Sequence, residues 1–166
     1  MPAILWMIPV GALLLAGCTD RPSPAAVASP FDTQSLVVAT RNGPTAHYLG
    51  RDGEATGPEH DLVTAFAESR GWSVQWQVFE STADVIDALE TGRVHLAAAG
   101  LTHLPARDER FVPGLVHGEV IQQVVCHRDD RPLPDTPEGL AGVDLQVMGD
   151  SSYVARLEEL ARTVPD

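Results

Sequence analysis

Between Ser35 and Arg162 the chain moves back and forth between two hydrophobic periods. Leu36-Val37-Val38-Ala39 is a continuous apolar, β-branched run closed by Arg41-Asn42-Gly43-Pro44, the pattern of a buried strand stopped by turn residues. After Gly57-Pro58, the stretch from Glu59 to Arg70 sets Leu62, Val63 and Phe66 on one helical face, with acids in its first turn and Gly71 just past its end. That spacing predicts a helix. Trp72, Val74, Trp76 and Val78 alternate with Ser73, Gln75 and Gln77, the period of two expected of a strand with one buried face. Ser81-Thr82-Ala83-Asp84 resembles a capping box ahead of a Val85, Ile86 and Leu89 stripe, and Gly92 closes that second helix before a third strand over Val94 to Ala99.

Strand, helix, strand, helix, strand is the order that right-handed crossovers fold into a parallel sheet with helices on its faces. In such sheets ligands bind beyond the carboxyl ends of the strands, which here means the loops after Ala39 and after Ala99. Further on, Val120 to Cys126 and Val143 to Val147 have strand character. Pro132 to Pro137 reads as a loop, and Ser152 to Arg162 as a helix with Val154, Leu157 and Leu160 on one face. One strand and one helix cannot bury both faces of a sheet, so this last unit reads as the opening of an incomplete second lobe.

The N-terminus adds an address. Ile4 to Leu15 is apolar but too short to span a bilayer, and Leu15-Ala16-Gly17-Cys18 looks like a bacterial lipobox, with no basic residue ahead of the apolar run. Residues 1–17 are expected to be a lipoprotein signal peptide and Cys18 the lipidation site, the alternative being an ordinary signal peptide with an incidental Cys. Thr19 to Pro30 is rich in Pro, Ser and Ala without periodicity, so residues 18–35 read as a flexible linker.

Charge and chemistry narrow the function classes. The formal net charge is −12 and all 11 basic residues are Arg, which argues against nucleic acid as a partner. Six histidines show neither a His-x-x-x-His pair nor a Cys-His cluster, and glycine-rich phosphate loops and a G-x-S-x-G elbow are missing, so no metal or other cofactor is expected. Cys126 reads as a buried strand residue. In the loop after the third strand, the Arg107 guanidinium could hold a carboxylate through two parallel charge-assisted hydrogen bonds, with the Thr102 hydroxyl as a second donor.

Gly57-Pro58-Glu59-His60-Asp61-Leu62, Asp87 to Gly92 and Ala97 to Arg107 together resemble the solute-binding protein family 3 pattern. Val37 to Thr45, Ala97 to Thr102 and Gln122-Gln123-Val124-Val125 are similar, more narrowly, to the subgroup that forms the N-terminal domain of membrane-bound lytic murein transglycosylases of type F. The resemblance implies an α/β fold of the periplasmic-binding-protein type II kind. Lobe 1 would span 36–118, with a parallel sheet flanked by helices, and a crossover strand and the start of an incomplete second lobe would span 119–166. Amino-acid receptors of the family carry Gly-Met-Thr-x-Thr-Pro-Glu-Arg, whose Arg holds the ligand's α-carboxylate. Gly100, Leu101, Thr102, Pro105 and Arg107 match, whereas Leu104 replaces a hydroxyl residue. The second-lobe anion loop corresponds to Asp150-Ser151-Ser152, with Asp150 in a usual Gly position, and Tyr48 and Tyr153 stand as cleft aromatics. The implied ligand-binding set is Arg107, Thr102, Gly100, Tyr48, Ser151 and Ser152.

The implied function is a periplasmic ligand-binding module of a lipid-anchored protein of peptidoglycan turnover, taking a small amino acid or a cell-wall peptide. Thr19 after the Cys favours the outer membrane. The alternatives are an amino-acid receptor of an importer and a truncated fragment. The chain itself is not expected to be catalytic, because the lysozyme-like domain of the transglycosylases is not among its residues. Glu68-Ser69, superficially like the catalytic pair of those enzymes, falls in the last turn of a helix and reads as surface charge.

Overall fold

The computed structural model describes residues 25–127, 129, 134–149 and 151–164. The signal-peptide and Cys18 assignments lie outside the described residues, as does Asp150. A short helix, α1 (Pro30–Thr33), leads into the strand β1 (Ser35–Arg41). A small antiparallel hairpin follows, β2 (Tyr48–Leu49) with β3 (Ala55–Thr56), then α2 (Pro58–Ser69), β4 (Ser73–Phe79), α3 (Thr82–Glu90) and β5 (Leu96–Ala97). One turn of helix, α4 (Pro105–Asp108), comes next. After it the chain has only a 3₁₀ turn, Pro137–Leu140, and α5 (Ser152–Thr163) among the described residues.

The sheet has the order β4-β1-β5, and both pairings are parallel. This is the parallel sheet flanked by helices that the alternation of periods predicts. β1 is central because it is apolar on both faces, as a strand covered by helices on both sides must be. Its Val37 and Ala39 pack with Val85, Ala88, Val94 and Ala99 under α3. Leu36 and Val38 pack with Val63 and Ala98 under α2. Ser81 caps α3 as its sequence suggested, its Oγ accepting the Asp84 N–H at 3.0 Å.

Several elements depart from expectation. The third strand is cut to Leu96–Ala97. The buried face of α2 consists of Glu59, Val63 and Ala67, while Leu62 is 55% exposed and Phe66 is exposed beside it. The cause is Glu59, which points inward to a backbone partner described below. Positions four and eight further on then share its face, and the small Ala67 lets the helix approach the sheet closely. Part of the supposed linker is packed onto the lobe: the Val27 N–H donates to the Gly92 carbonyl at 2.8 Å, and Val27 lies against the α3-side core. His95 holds it there, accepting the Val37 N–H at 2.9 Å through Nδ1 and donating to the Ala28 carbonyl at 2.8 Å through Nε2. Val120–Cys126 and Val143–Val147 form no strand, and Cys126 is exposed rather than buried. Among the described residues no strand lies beside them, so their backbone groups have no ladder to join.

Candidate functional site

The carboxyl ends of β1 and β5 and the amino ends of α2 and α3 meet at one end of the sheet, so the loops that leave the strands there set the site. Gly57 precedes α2 with φ at +142°, and a Cβ at that position would come within 2.4 Å of the Ala46 carbonyl oxygen. Only glycine allows that approach. Gly100, at φ +67°, turns the chain out of β5.

Glu59, in the first turn of α2, is buried and reaches across to the strand end. One carboxylate oxygen accepts the Gly100 N–H at 2.8 Å, and the other accepts the His117 Nε2–H at 3.1 Å. It therefore fixes the start of the Gly100 to Arg107 loop and ties the segment beyond α4 to the lobe. Reading Glu59 only as a helix-dipole acid missed this role. The signal that could have found it is the Gly57-Pro58 helix start, which puts the second helical residue at the strand ends.

Of the residues expected to bind ligand, four come together. Gly100 begins the loop, the Thr102 hydroxyl donates to Ser152 Oγ at 3.0 Å, and Arg107 Nη1 donates to the Thr102 carbonyl at 2.9 Å. Gln122 Nε2 also donates to Ser152 Oγ, at 3.5 Å. Arg107 is half-buried and lines, with Arg110, a cleft of about 320 Å³ against Ala83, Ile86, Asp87 and Glu90 of α3. Burial first, and then the Arg110 charge, hold its guanidinium below the usual arginine range. The other two hydroxyls make none of these bonds. Tyr48 pairs with Thr56 on the hairpin and is exposed, and Ser151 Oγ donates instead to the Met148 carbonyl at 2.6 Å. Tyr153 is exposed in the first turn of α5.

A second titratable cluster lies on the α2 side. His60 stacks on Trp76 with ring centroids 4.8 Å apart, and His47 sits 5.3 Å from His60 and 5.7 Å from Trp76. Buried His47 leaves its Nδ1 without a partner, and burial, then the neighbouring His60, pull its pKa below the ordinary value. His60 Nδ1 contacts Asp61 at 2.9 Å, a bond that holds the Asp61 carboxyl below its usual range. Among the described residues no group of three or more His, Cys, Asp or Glu is arranged to hold a metal ion, and no helix is long and apolar enough to cross a membrane.

Residues 36–158 match the family described as bacterial extracellular solute-binding proteins, family 3. The chain is 53% identical over 150 residues to the membrane-bound lytic murein transglycosylase F 2 of Alkalilimnicola ehrlichii, covering 90% of this chain and 33% of that protein. It is 38% identical over 163 residues to the membrane-bound lytic murein transglycosylase F of Maricaulis maris, covering 93% of this chain and 36% of that one. It thus spans about a third of the length of the curated relatives it matches. Among solved structures, the L-cystine solute receptor of Neisseria gonorrhoeae in its unliganded open conformation is 26% identical, covering 49% of this chain and 37% of that chain with a TM-score of 0.43.

Proposed function

From the premise that this chain belongs to the bacterial extracellular solute-binding proteins of family 3, we propose that it is the periplasmic ligand-binding module of a lytic-transglycosylase-F-like lipoprotein acting in peptidoglycan turnover. Its ligand is a small amino acid or a cell-wall peptide. The names of the relatives support the link to murein, Leu15-Ala16-Gly17-Cys18 supports a lipid anchor and Thr19 after it the outer membrane; labelled palmitate on Cys18 would reveal the anchor, and its absence would refute it.

The observation that carries the reading is the loop from Gly100 to Arg107. It gathers a left-handed glycine, a hydroxyl and a half-buried guanidinium at the carboxyl ends of parallel strands, with Ser152 brought onto it. Arg107 takes the ligand carboxylate, Thr102 and Ser152 supply hydroxyls, and Glu59 holds the loop in shape through Gly100. The Thr102–Ser152 bond shows the hydroxyls already within reach of each other, so a carboxylate entering between them exchanges one hydrogen bond for several.

Calorimetry of the full chain with amino acids and muropeptides tests this. Charge-assisted hydrogen bonds contribute about 1.5 to 3 kcal/mol each, so Arg107→Ala should weaken binding by roughly 10- to 150-fold. An unchanged affinity in that variant would remove Arg107 from the site.

A further inference from the structure

Arg41 closes β1 at the same end of the sheet, and among the described arginines it is the one whose Nε is buried without an acceptor. Arg93, Arg110 and Arg156 each pair with a carboxylate, of Asp87, Glu90 and Glu159 respectively. Among the described residues Arg41 pairs with no carboxylate, although the chain holds 23 acidic residues against 11 basic ones. Its Nη1 donates to the Thr82 hydroxyl at 3.1 Å, its Nη2 ends 4.0 Å from the Met148 sulfur, and its Nε is buried with no acceptor at all. A thioether is a weak acceptor, and a buried N–H left without one is rare in folded proteins. A five-donor fork is therefore held in a partly dry site with most of its capacity unused.

The register places this fork beside the loop described above. Ala39 pairs with Ala97, and the Ala98 N–H donates to the Ala39 carbonyl at 2.8 Å, so two residues further on Arg41 lies abreast of Ala99, the residue before Gly100. Adjacent strands lie about 4.8 Å apart. Thr82, whose oxygen accepts from Arg41, keeps its own O–H available as a donor, and it opens α3, where the helix dipole favours negative charge. Met148 Sδ lies 4.0 Å from Arg41 Nη2, and Ser152, four positions on, meets Thr102.

We infer that Arg41, backed by Thr82, is a second anion-binding point of the cleft. The ligand is then a dicarboxylate, an amino acid or peptide bearing an acidic group in addition to its α-carboxylate. This rests on the reading in which Arg107 takes the first carboxylate. The unmet donors of Arg41 select the second group, and the neutral amide of the same shape, which cannot accept a charged fork bidentately, is rejected.

The experiment measures binding of L-glutamate and its isosteric amide L-glutamine, and of the same pair in D form, to the full chain and to Arg41→Met, with thermal unfolding as the control for folding. Expected is a preference for the acid over the amide of about tenfold or more in at least one pair, collapsing to near unity in Arg41→Met while the amide's affinity moves by less than about threefold. Should Arg41→Met not fold, Arg41→Gln replaces it and is read by the same ratio. A ratio unchanged in the folded variant, or no preference for the acid in the wild type, overturns the role of Arg41 and leaves the Arg107 reading standing. Binding of all four probes that is absent, or indifferent to Arg107→Ala, overturns both.

Discussion

Leu36–Ala39 and Val120–Cys126 are both apolar runs rich in β-branched residues and bounded by polar ones, yet they end in opposite environments. Val38 is 0% exposed at the centre of the sheet, whereas Val125 is 89% exposed and its run joins no strand. The contrast extends to the regions around them. Every buried residue among the described ones falls between Leu36 and Ala99, while from Val112 to Val147 the apolar side chains Val112, Leu115, Val120 and Ile121 face solvent. What separates the two regions is partners. β1 has a strand on each side and a helix over each face, so its hydrogen bonds and its side chains are satisfied together. An apolar run without such neighbours gains nothing from being extended.

The sharpest way to break this contrast is one substitution made in both places. Val38→Asp buries an uncompensated charge, whose penalty of several kcal/mol consumes most of a typical stability of about 5 to 15 kcal/mol. Its cooperative thermal transition should vanish. Val125→Asp should stay within about 0.5 kcal/mol of the parent, as exposed substitutions do. Equal losses from the two in parallel denaturant melts would mean that the second run is packed after all.

Glu59 comes next, because it bonds to both regions. Glu59→Ala leaves the Gly100 N–H without its acceptor and should cost about 1 to 3 kcal/mol in urea unfolding. It also frees His117, so amide exchange around His117 should rise more than exchange in β1. Uniform acceleration across the chain would deny Glu59 a bridging role.

The smallest effect is expected from His47. Its pKa is lower in the folded state than the ordinary 6.5, so just below that value the unfolded chain holds a proton the folded one refuses. Stability is therefore fully present above about pH 6.5 and is lost as pH falls toward the lowered folded value. Urea midpoints at pH 7.5 and 5.5 should differ less in His47→Gln than in the parent, with the change felt in the lobe and not in the segment after Val112. Identical pH slopes in the two proteins would remove His47 from the account.

Much of the lobe is legible from single residues and their spacing. The period of two over Trp72 to Val78, the Ser81 cap and the glycines after each helix mark β4, α2 and α3 almost to the residue. These signals are local, since cap, turn and period are set by neighbours in the chain. The gathering of Gly100, Thr102 and Arg107 was legible for the same reason, being one loop of eight residues. Glu59 and Arg41 were not, because their meaning depends on what lies across the sheet. A first-turn acid and a strand-end arginine look like surface charge until Gly100 and Thr82 are placed beside them. The inward face of α2 was missed on the same account, Glu59 overriding the larger apolar residues Leu62 and Phe66.

By itself the sequence determined that this is an α/β chain with a parallel sheet flanked by helices, and which loop leaves that sheet at the carboxyl ends of its strands. Period, caps and crossover order carry that information along the chain. Only the tertiary structure decided which apolar runs become strands, which face of α2 is buried, and which charged groups find partners. Those outcomes turn on pairing between residues about 40 or more positions apart, such as Glu59 with Gly100 and Arg41 with Thr82, and local sequence holds no record of such distances.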